Sequence, residues 1–129
     1  MKKILIVLMI FILAIANLST TSVKKADIKN CKATYYDTKG HPIVHRSFPT
    51  AAYYHWKYLN MKLVITNIKN NVIDTVVVTD RHGMGTKHVD LSHLAFDRLA
   101  KLDTISNLKK RDRIRKSIGA LKVTIKIIK

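Results

Sequence analysis

A small, mainly β domain closed into a barrel, with one helix, is the fold this chain predicts, and three features predict it. Short runs rich in Val, Ile, Thr and Tyr recur between clusters of turn residues. One stretch, opening at Ser92, carries apolar residues at helical spacing. The chain then ends on an alternating segment, with Leu121, Val123, Ile125 and Ile127 set against Lys122, Thr124 and Lys126. Strands that dominate, with a helix between the third and the last, suit a small closed barrel, and 129 residues suit one domain.

The elements follow in order. Lys2-Lys3 precedes an almost wholly apolar run over 4–18, and Ala14-Ile15-Ala16 offers a small-x-small cleavage signal. This pattern predicts a secretory signal peptide over 1–16 and hence a secreted or periplasmic protein. The run falls short of the roughly 20 residues that span a bilayer; an uncleaved anchor is the plain alternative. No Cys adjoins the run, so no lipoprotein-type anchor is expected. Residues 17–30 read as a polar, Lys-rich leader into a domain over 31–129.

Lys32-Ala33-Thr34-Tyr35-Tyr36 has the β-branched and aromatic content of a first strand. Asp37-Thr38-Lys39-Gly40-His41-Pro42 is turn chemistry. Residues 43–61 read as irregular and aromatic. A second strand is expected over 62–68, a turn at Lys69-Asn70-Asn71, and a third strand over 73–79. The run Val76-Val77-Val78 predicts burial on both faces. Ser92 reads as the N-cap of a helix to about Leu102, with Ala95, Phe96, Leu99 and Leu102 on one stripe. Asp97 and Lys101 form an acid-first i,i+4 pair. Residues 103–119 hold Lys109-Lys110-Arg111, Arg113, Arg115 and Lys116 and read as a solvated basic loop. A short amphipathic helix marked by Ile105, Leu108, Ile114 and Ile118 is the alternative.

Charge narrows the partners. The formal net charge is +16, and all eight acidic residues are Asp. Any carboxylate chemistry therefore uses Asp. Removing Lys2 and Lys3 with the signal leaves about +14. A basic exported protein is drawn to anionic wall polymers or membrane headgroups. Nucleic acid is not expected as a partner, because export disfavours it and no nucleic-acid-binding motif is present. Cys31 is the only cysteine, so no intrachain disulfide forms, and a small, partly buried thiol is expected there. A monomer without cofactor is expected.

The stretch Val78-Thr79-Asp80-Arg81-His82-Gly83-Met84-Gly85-Thr86-Lys87-His88-Val89-Asp90-Leu91-Ser92 carries the chemistry. It sets two carboxylates ten residues apart on the lips of one His- and Gly-rich loop. Such acids can face one groove, as glycoside chemistry requires. The bland readings are that Asp90 braces the helix start, that Asp80 braces the loop, and that Asp37 is a turn residue. His82, His88 and His93 lie near both acids in sequence, but no His-x-x-x-His or Cys pair accompanies them, so no metal site is expected.

Four segments in order give a resemblance. Ala33-Thr34-Tyr35-Tyr36, then Thr66-Asn67, then Val78-Thr79-Asp80-Arg81, then Val89-Asp90-Leu91-Ser92 with Ala95-Phe96 resembles the six-stranded double-psi β-barrel of the RlpA-like and expansin-like families. The resemblance runs from about Cys31 to the C-terminus and implies site roles. His88-Val89-Asp90 is similar to the His-Phe-Asp motif of expansins and related inverting cellulases, which puts Asp90 at their critical acid. Asp80 matches the acid across the barrel loop, and Thr34 a groove threonine. Tyr36-Asp37 resembles a first-strand Tyr-x-Asp whose Asp is the cellulase base. His55, after Thr50-Ala51-Ala52, falls near the groove His of RlpA-like proteins, with the local spacing shifted. Asp90 and Asp80 are thus the implied catalytic acids, and Thr34, Tyr36, His55, His82 and His88 the implied substrate-binding residues. The chain departs from RlpA-like enzymes at Val44-His45-Arg46-Ser47-Phe48-Pro49, where their Ser-Gly-Glu stretch, and its Glu, is absent. It also lacks their lipoprotein Cys and the second, sugar-binding domain of expansins.

The chemistry fits a single acid. A lytic transglycosylase protonates the glycosidic oxygen with one carboxylic acid, then takes a proton from the sugar's own 6-hydroxyl. That acid gains from a pKa raised by burial or by a neighbouring like charge. An inverting hydrolase needs two carboxyls about 6.5–9.5 Å apart, and Asp37 with Asp90 is the pairing the resemblance offers. The expected function is an exported peptidoglycan lytic transglycosylase acting on peptidoglycan or another cell-wall glycan. A non-catalytic, expansin-like wall-loosening module is the rival, and a basic module for other anionic polymers the third reading. The aromatic run Tyr53-Tyr54-His55-Trp56-Lys57-Tyr58 divides between core and sugar-stacking rings.

Overall fold

The computed structural model describes residues 28–36 and 47–128. The signal segment, most of the leader, Asp37, His41 and His45 lie outside the described residues. Six strands form among those described: β1 (Ile28–Tyr36), β2 (Thr50–Tyr53), β3 (Lys62–Asn67), β4 (Ile73–Arg81), β5 (His88–Ser92) and β6 (Leu121–Ile128). They close in the order β1-β5-β2-β4-β3-β6. β1 pairs parallel with β5, and β2 parallel with β4; the remaining pairs are antiparallel. Closure gives each of the six described strands a neighbour on both sides.

Alternation drives the closure. Ala33, Leu63, Ile65, Val76, Val78, Val89, Leu91, Val123 and Ile125 are all essentially inaccessible and fill the interior. Each fully buried Val, Leu or Ile stabilises the barrel by about 1.5–3 kcal/mol. β6 alternates as its sequence predicts, with Leu121, Val123 and Ile125 inside. In β4 the expected two-sided burial is not found: Val76 and Val78 are buried and Val77 only half-buried. The strand lines one face of a closed barrel and is not sandwiched between helices. The first strand also starts earlier than the sequence suggests. Ile28, Lys29 and Asn30, read as the end of the leader, pair with Lys126, Ile125 and Thr124 of β6.

Two helices pack on the barrel. α1 (His93–Leu99) is capped by Ser92, whose Oγ accepts from the Ala95 N–H at 3.4 Å and from the Thr50 N–H at 3.1 Å. One hydroxyl thereby ties the helix start to the start of β2. The predicted stripe of Ala95, Phe96, Leu99 and Leu102 is buried. The Leu99 carbonyl accepts from the Asn67 and Asn70 side-chain amides, each at 2.9 Å, which closes the helix end against the β3–β4 turn. α2 (Leu108–Ile118) occupies the stretch read as a basic loop. Its apolar stripe is not what holds it: Leu108 is 71% exposed. The anchor is Arg115, buried, which donates through Nε to Asp97 Oδ1 at 2.8 Å and through a terminal nitrogen to Oδ2 at 2.6 Å. Asp97 is therefore a buried partner of α2, not the surface partner of Lys101, which lies beyond the helix at φ 58.

Candidate functional site

The parallel pairings bring the motif residues onto one line. Thr34 of β1 is the register partner of Asp90 of β5. Asp90 is the partner of Ala52 of β2. Ala52 is in turn the partner of Asp80 of β4, just past a register shift. Thr34, Asp90, Ala52 and Asp80 thus form a row across four adjacent strands. Strands lie about 4.8 Å apart, so the two acids flank β2 with Cα atoms separated by about 10 Å. A single methyl group stands between them. Alternation along the strands puts this row on the outer face, since Ala33, Val89 and Leu91 point inward.

Asp90 is half-buried and accepts from the Thr34 hydroxyl through Oδ1 at 3.0 Å. Among the described residues no hydrogen bond engages Oδ2. Burial raises the Asp90 carboxyl above the ordinary carboxylate value, while the Thr34 hydrogen bond and nearby His82 and His88 pull it back. Its elevation comes from desolvation and not from Asp80, whose charge stands across β2 where solvent screens it. Asp80 itself is exposed, and its Oδ1 accepts from the Arg81 N–H at 2.6 Å. The two acids therefore differ in kind: Asp90 is half-buried and desolvated, whereas Asp80 is exposed and bonded to the next strand amide.

Tyr36 lies two residues beyond Thr34 on the same face. Its phenol shares a 2.7 Å hydrogen bond with Thr50 Oγ1. Burial raises its pKa, Thr50 and Thr79 oppose that, and Asp90 and Asp80 add to it. The ring thus stands in the field of both carboxylates. His82 accepts from the Met84 N–H through Nδ1 at 3.1 Å, and its Nε2 lies 3.0 Å from the His88 carbonyl. An accepting Nδ1 and a donating Nε2 define one neutral tautomer, so His82 braces the loop between the acids. Gly85 holds that loop's turn at φ 78.

Not every expected residue joins the row. His55 caps the short 3-10 turn Trp56–Tyr58, accepting from the Lys57 N–H at 3.0 Å, and is exposed. Of the aromatic run, Tyr53 and Tyr58 are core, Tyr54 is half-buried, and Trp56 is 56% exposed. The Arg81 guanidinium lies 5.5 Å from the Trp56 ring centre, so an exposed indole stands against the end of β4. Sequence reasoning missed the role of Ala52; the signal was the small pair Ala51-Ala52 just before the aromatic run. No group of three His, Cys, Asp or Glu side chains gathers to hold an ion among the described residues.

No family model and no curated protein matches the sequence. Solved structures do. The apo expansin of Clavibacter michiganensis is 19% identical, with a TM-score of 0.56, over 80% of this chain and 51% of that one. An Asp-to-Asn variant of the Clavibacter michiganensis expansin in complex with cellohexaose is 17% identical, with a TM-score of 0.56 over the same shares. A Streptomyces papain inhibitor is 21% identical, with a TM-score of 0.55, over 80% of this chain and 96% of that one. The chain spans about half the length of the expansin structures it matches. With six strands closed around two parallel pairs, and these neighbours, the chain has the expansin-like double-psi β-barrel fold.

Proposed function

We propose that the Thr34–Asp90–Ala52–Asp80 row is the floor of a glycan-binding groove in an exported, cell-wall-active protein, and that Asp90 is its acid/base. The observation that carries this reading is the Asp90 carboxyl: half-buried, raised above its ordinary value, and gripped on one oxygen by Thr34. Such a group holds a proton closer to neutrality and returns to carboxylate after giving it up. In a peptidoglycan lytic transglycosylase it would protonate the glycosidic oxygen as the bond to the anomeric carbon breaks. The departing strand leaves with a hydroxyl. The ionised Asp90 then takes the proton of the sugar's own 6-hydroxyl, whose oxygen closes on the anomeric carbon. Products are a shortened strand and an anhydro-sugar end, with no water consumed. Asp80, Tyr36 and His88 contact sugar hydroxyls, His82 fixes the loop, and Trp56, presented by the turn that His55 caps, stacks a ring.

A second reading keeps the groove and drops the cleavage. The chain has no Glu, the acid of RlpA-like enzymes, and its structural neighbours include expansins. Asp90 would then grip packed glycan and loosen it. One experiment separates the two: incubation with peptidoglycan stripped of stem peptides. Anhydro-sugar ends that vanish with Asp90→Asn support the lyase. Retention on strands without products supports the loosening module, and failure to be retained sinks the groove itself.

A further inference from the structure

The outer face beside the groove carries a second row. Lys32 of β1 is the register partner of His88 on one side and of Lys122 of β6 on the other. Lys32 precedes Thr34, and His88 precedes Asp90, by two residues, so this row runs parallel to the acid row and about 7 Å from it. Lys32 and Lys122 are exposed and face each other directly across the strands. Opposed like charges in a sheet destabilise it. No carboxylate lies within ion-pair distance of either among the described residues. The positive field continues past the row: Lys29 and Lys87, with Asn30 and Thr86, line a shallow cavity, and the Lys32 N–H donates to the Lys87 carbonyl at 2.9 Å. The pair is left uncompensated among the described residues, which suits an anion supplied from outside.

We propose that Lys122 and Lys32, with the His88 side chain beside them as a hydrogen-bonding partner, form a cationic ledge that reads carboxylate substituents on the strand held in the groove. The protein would thereby select an acidic hexosamine glycan over a neutral one. The inference rests on the groove reading, since the anion is taken to belong to the same strand that lies over Thr34 and Asp90. A separation of about 7 Å matches a substituent reaching sideways from a sugar ring in the groove. Phosphate polymers without sugars would meet the ledge but not the groove, and should bind less well.

The test compares full-length protein with Lys32→Ser/Lys122→Ser, titrated with three probes at low salt. The probes are glycan strands from peptidoglycan stripped of stem peptides, which keep their muramic carboxylates, a neutral chitin oligomer of equal length, and poly(glycerol phosphate). The unaltered protein should bind the acidic strand about 5-fold or more tighter than chitin. The double variant should lose that preference while its affinity for chitin stays unchanged. Its melting temperature should hold or rise, because two opposed charges are gone. Equal affinity for acidic and neutral strands, or equal weakening of both in the variant, overturns the ledge and leaves the groove standing. Poly(glycerol phosphate) binding as tightly as the glycan also overturns it, as a non-selective polyanion surface. Failure of the unaltered protein to bind either glycan removes the groove, and the ledge with it.

Discussion

At Asp90 the physics of one carboxyl sets testable signs. Burial raises its folded-state pKa above the ordinary aspartate value of 3.8. The folded protein therefore holds this proton more tightly than the unfolded chain. Asp90 then costs stability as pH climbs from near 3.8 through the folded value, and the cost stays at neutral pH. Asp90→Asn removes the buried charge yet leaves Thr34 an oxygen to donate to. It should raise the melting temperature at pH 7 and leave it unchanged below about pH 3. Cleavage or loosening should fall by about 100-fold or more, while binding holds. Loss of folding instead would make Asp90 a structural brace. Thr34→Val acts in the opposite electrostatic sense. It deletes a hydrogen bond that favours the carboxylate, so the Asp90 limb of the pH–activity profile should move to higher pH. Ala52→Leu adds bulk at a buried position between the acids; it should abolish glycan retention in a pull-down and lower the melting temperature by a few degrees, whereas Ala52→Gly should keep retention.

At the level of elements, α2 is held by charge and not by grease. Asp97 is buried and bonded twice by Arg115, whose third nitrogen reaches Asp112 at 3.0 Å and whose guanidinium lies 5.7 Å from the Tyr35 ring centre. Arg115→Ala strands a buried carboxylate and should cost about 3–5 kcal/mol in urea unfolding. Lys101→Ala, at the partner first expected for Asp97, should change stability by less than about 0.5 kcal/mol. The contrast shows what the sequence could and could not tell. Alternation in β6 and the stripe of α1 were legible because burial there is apolar and periodic. β2 was not: Thr50–Tyr53 is four residues, all buried, and so shows no alternation. α2 was not, because its contacts are guanidinium to carboxylate over eighteen positions of sequence. The shared face of Asp80, Asp90 and Thr34 was legible as motifs, but the strand standing between the acids was not, since the order β1-β5-β2-β4 follows from crossovers that no local pattern encodes.

Across the whole molecule, 24 Lys and Arg face 8 Asp, and the structure sorts the cations among the described residues by use. Arg115 is internal. Arg111 donates to the Ile105 and Asp103 carbonyls and approaches Asp97 at 3.8 Å, so it pins the turn before α2. Lys116 pairs with Asp112 at 2.8 Å. Lys109, Lys110 and Arg113 remain exposed on the same helix with no ion pair among the described residues. A substitution set meant to probe long-range attraction must therefore spare Arg111, whose loss would confound charge with folding. Lys109→Ala, Lys110→Ala and Arg113→Ala together should leave the melting temperature within a few degrees of the parent. Retention on intact, polymer-decorated walls should drop at low salt, and the difference should fade as ionic strength passes about 0.15 M, where screening acts beyond roughly 8 Å. On short isolated glycan strands, which under the proposed function engage only the groove and its ledge, the same triple variant should bind like the parent. Equal weakening on both ligands would place α2 at the groove and remove the distinction between attraction to the wall and recognition of the strand.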